Sequence, residues 1–377
     1  MTRIAVLGCG LVGSAIVRDL VSDPDISVTA CDVSEENLGH VASLPRVEPL
    51  RADLSRRDEI ERAVRQADGA VGAVPGALGF AMLETVIRSG KPIADISFSP
   101  ESPLELDAIA REKGVTAVVD CGVSPGLSNL AVGRAASKLD QVDDAVIYVG
   151  GLPVERRWPY EYRIVFSATD VIEEYTRPAR MVEGGRIVVK PALSEVEPVD
   201  FPGLGTLEAF NTDGLRTLLE TVTATNMREK TLRYPGHAER MRMLRETGFF
   251  DENPIEVRGT SIVPRALTER LLFRAWKRGE SEEELTVLRV EVEGTAGEET
   301  RRYEYALLDR TDAATGETSM ARTTGFPCAI MARMLARGDF RSPGIVPPER
   351  FAADERVYEH LVAELARRGV LFRETAT

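Results

Sequence analysis

The sequence predicts an α/β protein: a doubly wound parallel sheet in the first third of the 377-residue chain, then a second α+β domain built on a mainly antiparallel sheet. Three observations predict it. Short apolar segments alternate with helical ones over the first 125 residues. Those segments lack polar alternation, as suits strands covered by helices on both faces. After about residue 140 the rhythm changes to longer alternating strands with helices set between them. A chain of this length exceeds one typical core and divides into domains of roughly 100–200 residues. The expected division is 1–125, 126–324 and 325–377, the last a helical segment returning to the first domain.

The first-domain strands are expected in "RIAVLG", "SVTACD", "RVEPL", "GAVGAV", "KPIADIS" and "VTAVVD", all short and rich in Val, Ile and Ala. Helix starts lie between them. Ser55 precedes "RRDEIERAVRQ" and Ser102-Pro103 precedes "LELDAIAREKG"; serine can cap free N–H groups, and proline fits the first turn because it has no N–H to leave unpaired. In the second domain "DDAVIYVGGL", "GRIVVK", "TVLRVEVEG" and "RRYEYALLD" read as strands, "GLRTLLETV" and "GHAERMRMLRET" as helices. From Gly325 "FPCAIMARMLARG" reads as the returning helix, and "YEHLVAELARRG" as a last amphipathic one.

Composition narrows the partners. A hydrophobic content of 43% with 28% charge is ordinary for a globular protein. The formal charge of −13 disfavours nucleic acid and anionic membrane surfaces. No apolar run approaches the ~20 residues of a membrane span, and "MTRIAVLGCG" enters a strand without a charged leader, so a cytoplasmic protein is expected. Cys9, Cys31, Cys121 and Cys328 form no CxxC, and His40, His237 and His360 form no HxxxH. No metal site and no disulfide are therefore expected.

The strongest motif is "GCGLVG", Gly8 to Gly13, a GxGxxG. It follows the apolar strand "IAVLG", opens the helix containing Leu11 and Val12, and a second strand ends in Asp32, 19 positions beyond Gly13. Gly8 permits the tight turn, Gly10 lets the backbone approach a pyrophosphate, and Gly13 permits helix-to-strand contact. The helix N-terminus supplies N–H groups to the phosphates. These are the parts of a Rossmann dinucleotide site. Asp32 suits both ribose hydroxyls and repels a 2′-phosphate, while Val33 and Ser34 offer no arginine, so NAD is expected over NADP. Asp53 and Leu54 could flank the adenine, with a solvent-facing turn equally open. Ala73, Val74 and Pro75 lie where the middle of the cofactor should pass. Two other nucleotide signatures are missing: no tyrosine has a lysine four residues later, as short-chain dehydrogenases require, and no GK[ST] follows a glycine loop.

The stretch "VVDCGVSPGLSN" ends the sixth strand, where open α/β sheets present residues to ligands. Ser124 reads as an N-cap and Pro125 as the first helical residue. Cys121 has no histidine near it in sequence to activate it, so a pocket-lining role for Cys121, Gly122 and Val123 is preferred to a nucleophile. "ADISFSPES" places Asp95 and Phe98 on the same sheet edge.

With these motifs, and with "YVGGLP", "PYEYRIVFS", "LSEVEP", "GTLEAFNTDGLRTL", "KTLRYPGHAERMRML", "SMARTTGFP" and "GIVPPE" in order along the chain, the sequence resembles the saccharopine dehydrogenase superfamily, most closely its lysine 6-dehydrogenases. The resemblance implies NAD-dependent oxidation at a carbon bearing nitrogen in a lysine-like amino acid, giving 2-aminoadipate 6-semialdehyde. "ADISFSPESPLELD" departs from the glycine-rich version associated with lysine dehydrogenases. Saccharopine, or another secondary amine derived from an amino acid, therefore stays open as substrate.

Hydride leaves only once the amine is neutral, and a free lysine amine has a pKa near 10.4. A proton acceptor is therefore needed. His237 is the candidate for proton transfer, with Asp95 and Glu161 as alternatives that could hold the substrate ammonium. Arg322 and Arg163 are candidates for a substrate carboxylate, because a guanidinium offers it two parallel bonds. The resemblance alone implies polar contacts from Tyr160, Asn129 and Thr212. A small-molecule amino acid substrate and a homodimer or higher homo-oligomer are expected. A different-class reading is a non-catalytic protein that senses NAD.

Overall fold

The computed structural model describes residues 1–279 and 282–377. Six parallel strands follow one another through the first domain: β1 (Thr2–Leu7), β2 (Ile26–Asp32), β3 (Val47–Arg51), β4 (Gly69–Gly72), β5 (Ile93–Asp95) and β6 (Thr116–Val118). Their order across the sheet is β3-β2-β1-β4-β5-β6, the doubly wound arrangement in which the chain reverses direction between β1 and β4. The apolar segments become strands because both faces are covered. Ile4, Val6 and Val71 face one core, and Ala5, Leu7 and Ala70 the other. Fully burying an aliphatic side chain contributes about 1.5–3 kcal/mol, so this double burial outweighs the missing polar alternation.

Residues 325–377 contribute to both sheets. Gly344–Ile345 adds a seventh parallel strand beside β6, while Phe372–Ala376 pairs with Glu299–Arg310 in the second sheet. The returning helix starts earlier than expected, at Ser319, because the Thr318 side chain accepts from the Ala321 N–H, and it runs to Arg337. It lies along the helix Leu11–Val21. Gly325 permits that approach, since a Cβ there would meet Ile16 at 3.1 Å. Arg333 and Arg368 both pair with Asp19, and Arg18 with Glu317 at 2.7 Å.

The second sheet has nine strands and is mainly antiparallel. Its one parallel pairing among the described residues sets Ala224–Arg233 beside the long central strand Gln141–Pro153, with Thr231 opposite Val149. This mixed centre faces the first domain. "GLRTLLETV" is helical only over Leu218–Thr221, because Arg216 takes a positive φ of 53° and its guanidinium turns into the interface between domains. "GHAERMRMLRET" forms the helix His237–Glu246, and the last helix spans Glu355–Arg367 with Asp354 as its cap.

Three further helix starts differ from expectation. Arg56, not Ser55, precedes the helix Arg57–Val64, and the Ser55 hydroxyl donates to Asp53 instead. Pro103 opens a single 3-10 turn to Leu106, with no side-chain cap from Ser102. The helix after β6 begins at Leu127, with Gly126 as N-cap, and Pro125 lies outside it. The Gly122 N–H donates to the Pro125 carbonyl at 3.1 Å and the Leu127 N–H to the Gly122 carbonyl at 3.0 Å, which folds 122–127 into a tight loop. Gly126 has a φ of 144° that a residue with a Cβ rarely adopts. Among the described residues no helix is long and apolar enough to cross a membrane, and no cluster of His, Cys, Asp and Glu could hold a metal ion.

Candidate active site

One cavity of about 680 Å³ runs from the carboxyl edge of the first sheet to the centre of the second. Its first end is built from backbone. Gly8 has a φ of 102°, and a Cβ there would collide with the Ala73 carbonyl, so β1 and the turn after β4 touch through their main chains. A Cβ on Gly13 would collide with the Gly8 carbonyl, whereas one on Gly10 would meet nothing within 4 Å. The turn is closed where chain packs on chain and open where a pyrophosphate would lie. Asp32, at the end of β2, accepts from the N–H groups of Cys9 and Ser34, each at 2.8 Å, and from Asn37 Nδ2 at 3.1 Å. The expected cofactor residues Gly8, Gly10, Leu11, Val12, Gly13, Asp32, Asp53, Leu54, Ala73, Val74 and Pro75 all line this cavity, so the residues present fit a dinucleotide.

The far end is built from side chains. Along Ala224–Arg233, Glu229, Thr231 and Arg233 sit on alternate positions and so share one face of the strand. On the helix Ala168–Thr176 and its C-cap, Asp170, Glu173, Glu174 and Arg177 follow at i, i+3, i+4 and i+7, one stripe. Arg233 is only 2% exposed and forms an ion pair with Glu174, while its Nε has no hydrogen-bond partner. Burial raises the pKa of Glu174, Arg233 opposes the rise, and Asp170 adds to it. Glu229 is pushed up to about 8 by burial, with Glu174 and Asp213 adding to the shift.

The expected substrate residues divide. Phe98, Gly122 and Val123 line the main cavity, and Thr212 lines a smaller recess that opens from it. Phe98 is clamped by Arg216, whose guanidinium lies 4.5 Å above its ring and pairs with Asp120 at 3.1 Å. Cys121 does not line the cavity: it is buried with its thiol against Cys328, so neither a nucleophilic nor a lining role suits it. Asp95 lies beneath the floor against Gly72, accepts from the Ser97 N–H at 2.9 Å, and is pushed up to about 7 by burial.

Six other candidates lie away from the cavity, each for a physical reason. His237 is 1% exposed in an aromatic cluster, where its Nδ1 donates to the Tyr160 carbonyl and its Nε2 accepts from the Tyr175 hydroxyl, each at 2.9 Å. Burial, and then the charge of Arg233, lower its pKa to about 3, so it is neutral near pH 7. Tyr160 packs edge-on against Trp276. Glu161 pairs with Arg156, and Arg163 with Glu282 at 2.9 Å. Arg322 is neutralised by Asp309 at 3.2 Å and Asp312 at 3.0 Å. Asn129 caps its own helix by accepting from the Gly126 N–H at 3.2 Å.

Sequence reasoning missed Asp170, Glu174, Glu229 and Arg233. Two signals were present: the charged and polar positions 229, 231 and 233 within a central strand, and the i, i+3, i+4, i+7 charged stripe.

A GxGxxG turn opening on a cavity at the switch point of a doubly wound sheet defines a nucleotide-binding protein of the Rossmann class. A family model described as the saccharopine dehydrogenase NADP binding domain matches residues 4–118, and one described as the saccharopine dehydrogenase C-terminal domain matches residues 122–370. The chain belongs to the saccharopine dehydrogenase family. It is 21% identical to the L-glutamate-forming, NADP(+) saccharopine dehydrogenase of Schizosaccharomyces pombe, with 99% of each chain covered. It is also 21% identical to the mitochondrial alpha-aminoadipic semialdehyde synthase of Bos taurus, of which it spans 48%. A carboxyaminopropylagmatine dehydrogenase of Synechocystis is 19% identical over 99% of this chain and 98% of that one. Among solved structures, the apo L-Glu-forming saccharopine dehydrogenase of Saccharomyces cerevisiae shares the fold, with a TM-score of 0.82, 17% identity and 100% of both chains covered.

Proposed function

We propose that the protein oxidises the CH–NH group of a secondary amine derived from an amino acid, in a saccharopine dehydrogenase-type reaction with NAD as acceptor. The observation that carries this reading is the continuity of one cavity from Asp32 and the glycine turn to the wall where Arg233, Glu174 and Asp170 meet. The names of the relatives favour this reaction over the lysine 6-dehydrogenase reaction that the sequence motifs also suggest.

Arg233, on the cavity wall, supplies the guanidinium for a substrate carboxylate, while Glu174 keeps its charge compensated. Glu174, its pKa raised by burial, is the group at the cavity wall placed to take the amine proton. A bound nicotinamide would accept the hydride. Water then adds to the resulting C=N bond, giving an aldehyde and the primary amine, with one NADH and one proton formed for each amine and water consumed. Support for NAD comes from Asp32, whose carboxylate lines the cavity with no arginine among the neighbouring cavity residues to attract a 2′-phosphate. The matching domain model and the fission-yeast relative are named for NADP, so the two dinucleotides must be compared directly.

The test is to incubate the purified protein with saccharopine or lysine and either dinucleotide, following reduced-nicotinamide absorbance and free glutamate together. The expected result is reduction of NAD by the secondary amine, with glutamate released one for one. Reduction by lysine without glutamate would select the lysine 6-dehydrogenase reaction. Dinucleotide binding with no reduction by any amine would leave the non-catalytic sensor.

A further inference from the structure

Beside the wall that carries Arg233, the main cavity opens into a recess of about 90 Å³, and the two share Phe98, Ser124, Val149, Asp170, Glu174 and Thr231. The charges around the recess are unbalanced. Among the described residues Asp170, Glu173, Glu174, Asp213 and Glu229 line it, against Arg177, with Arg233 on the adjoining cavity wall. Most of these groups are already compensated within the protein. Arg233 pairs with Glu174, Arg177 with Glu173 at 3.4 Å, and Asp213 with Arg180 at 2.9 Å. Asp170 and Glu229 form no ion pair among the described residues, although both line the recess. Glu229 is only 4% exposed, and its carboxyl group accepts neutral hydrogen bonds, from the Thr212 hydroxyl and the Gly214 N–H. A buried carboxylate without a cation is costly, and a ligand cation would relieve that cost.

We propose that this recess binds a cationic end of the substrate, an ammonium or guanidinium held by Asp170 and Glu229, so that the preferred substrate is a secondary amine with a basic terminus free of carboxylate. This rests on the amine-oxidation reading above and adds the substrate class. An α-amino acid terminus, as in the lysine half of saccharopine, would bring a carboxylate into the same recess beside Asp170 and Glu229, while Arg177, the recess's one cationic lining residue among the described residues, is already paired with Glu173. The raised pKa values of Asp170 and Glu229, caused first by burial, agree with sites that lack a cation.

The test uses the full chain saturated with NADH. Cadaverine, lysine and glutarate are titrated by calorimetry, and turnover of saccharopine is compared with that of N-(5-aminopentyl)glutamate, which lacks the lysyl carboxylate. Cadaverine should bind about tenfold or more tightly than glutarate or lysine, and D170N and E229Q should each weaken it about tenfold, the loss expected for a charge-assisted contact, with NADH affinity unchanged. N-(5-aminopentyl)glutamate should show the higher kcat/KM. Should E229Q fail to fold, D170N carries the test, because Asp170 is partly exposed and holds no ion pair among the described residues. Tighter binding of glutarate or lysine, or cadaverine binding indifferent to both substitutions, overturns the proposal. Cadaverine binding that responds to the substitutions while no amine reduces NAD keeps the cation site and removes the oxidation reading. Turnover of N-(5-aminopentyl)glutamate that ignores both substitutions does the reverse.

Discussion

The two ends of the cavity are made differently. At the nucleotide end, function is carried by main chain: a turn that only glycine can form, and amide groups aligned by the strand and helix on either side. At the substrate end it is carried by side chains from a strand and a helix more than fifty residues apart, Arg233 and Glu174, which meet only through the second sheet. Backbone chemistry is local and tolerates few sequences. Side-chain chemistry is non-local and is easily changed without altering the fold, so specificity belongs at that end.

The sharpest break of this contrast is Arg233→Met. Removing one partner of a buried pair leaves the other charge uncompensated, at a cost of about 3–5 kcal/mol, and it also removes the proposed carboxylate anchor. Both Tm and turnover should fall. Adding Glu174→Gln should recover most of the stability and none of the turnover, whereas recovery of both would give the pair a purely structural role.

A smaller effect is expected at the other end. Asp32→Asn keeps the side-chain shape but removes the charge that would face a 2′-phosphate. Hydrogen bonds to charged groups are worth about 1.5–3 kcal/mol, so the ratio of kcat/KM for NAD to that for NADP should drop by about tenfold to a hundredfold. An unchanged ratio would mean that Asp32 does not set the preference.

The same division explains what could be read in the sequence. Strand order, the glycine turn, Asp32 and the residues after β4 follow from contiguous patterns, and they line the cavity where that reading expects them. Arg322, Arg163 and Glu161 suit a substrate by side-chain chemistry alone, which says nothing about partners; Asp309, Glu282 and Arg156 already occupy them. Glu229 was legible in principle, since a carboxylate in a central strand needs a reason. What hid it was its neighbour Lys230, which points to the opposite face and pairs with Glu197 at 2.9 Å, so the run reads as an ordinary charged pair.

Glu229 also sets a pH dependence. Its folded-state pKa, about 8, lies above its ordinary value of 4.5. The stability it contributes is therefore complete below the ordinary value and is lost as pH rises through the folded one. Asp95, raised to about 7, acts in the same direction. Glu229→Gln should flatten the decline of Tm between about pH 5 and pH 9 without abolishing it, the remainder belonging to Asp95 and the other buried carboxyls whose pKa is raised, Asp170, Glu174, Glu284, Asp309 and Glu349. An identical decline in the variant would show that Glu229 ionises normally.

The smallest effect on chemistry is expected at the residue whose sequence looked most catalytic. His237 has the right ordinary pKa for proton transfer, but the fold removes that property: burial and Arg233 hold it neutral, and both ring nitrogens are engaged by Tyr160 and Tyr175. His237→Gln should cost about 1–3 kcal/mol of stability through the buried groups left unpaired. In the folded fraction, turnover should stay within about twofold and the pH profile of kcat/KM should not move, since the ionisation that shapes it belongs to groups lining the cavity. A displaced acidic limb would instead place an ionising His237 in contact with the reaction, and the aromatic cluster around it would then have to open during turnover.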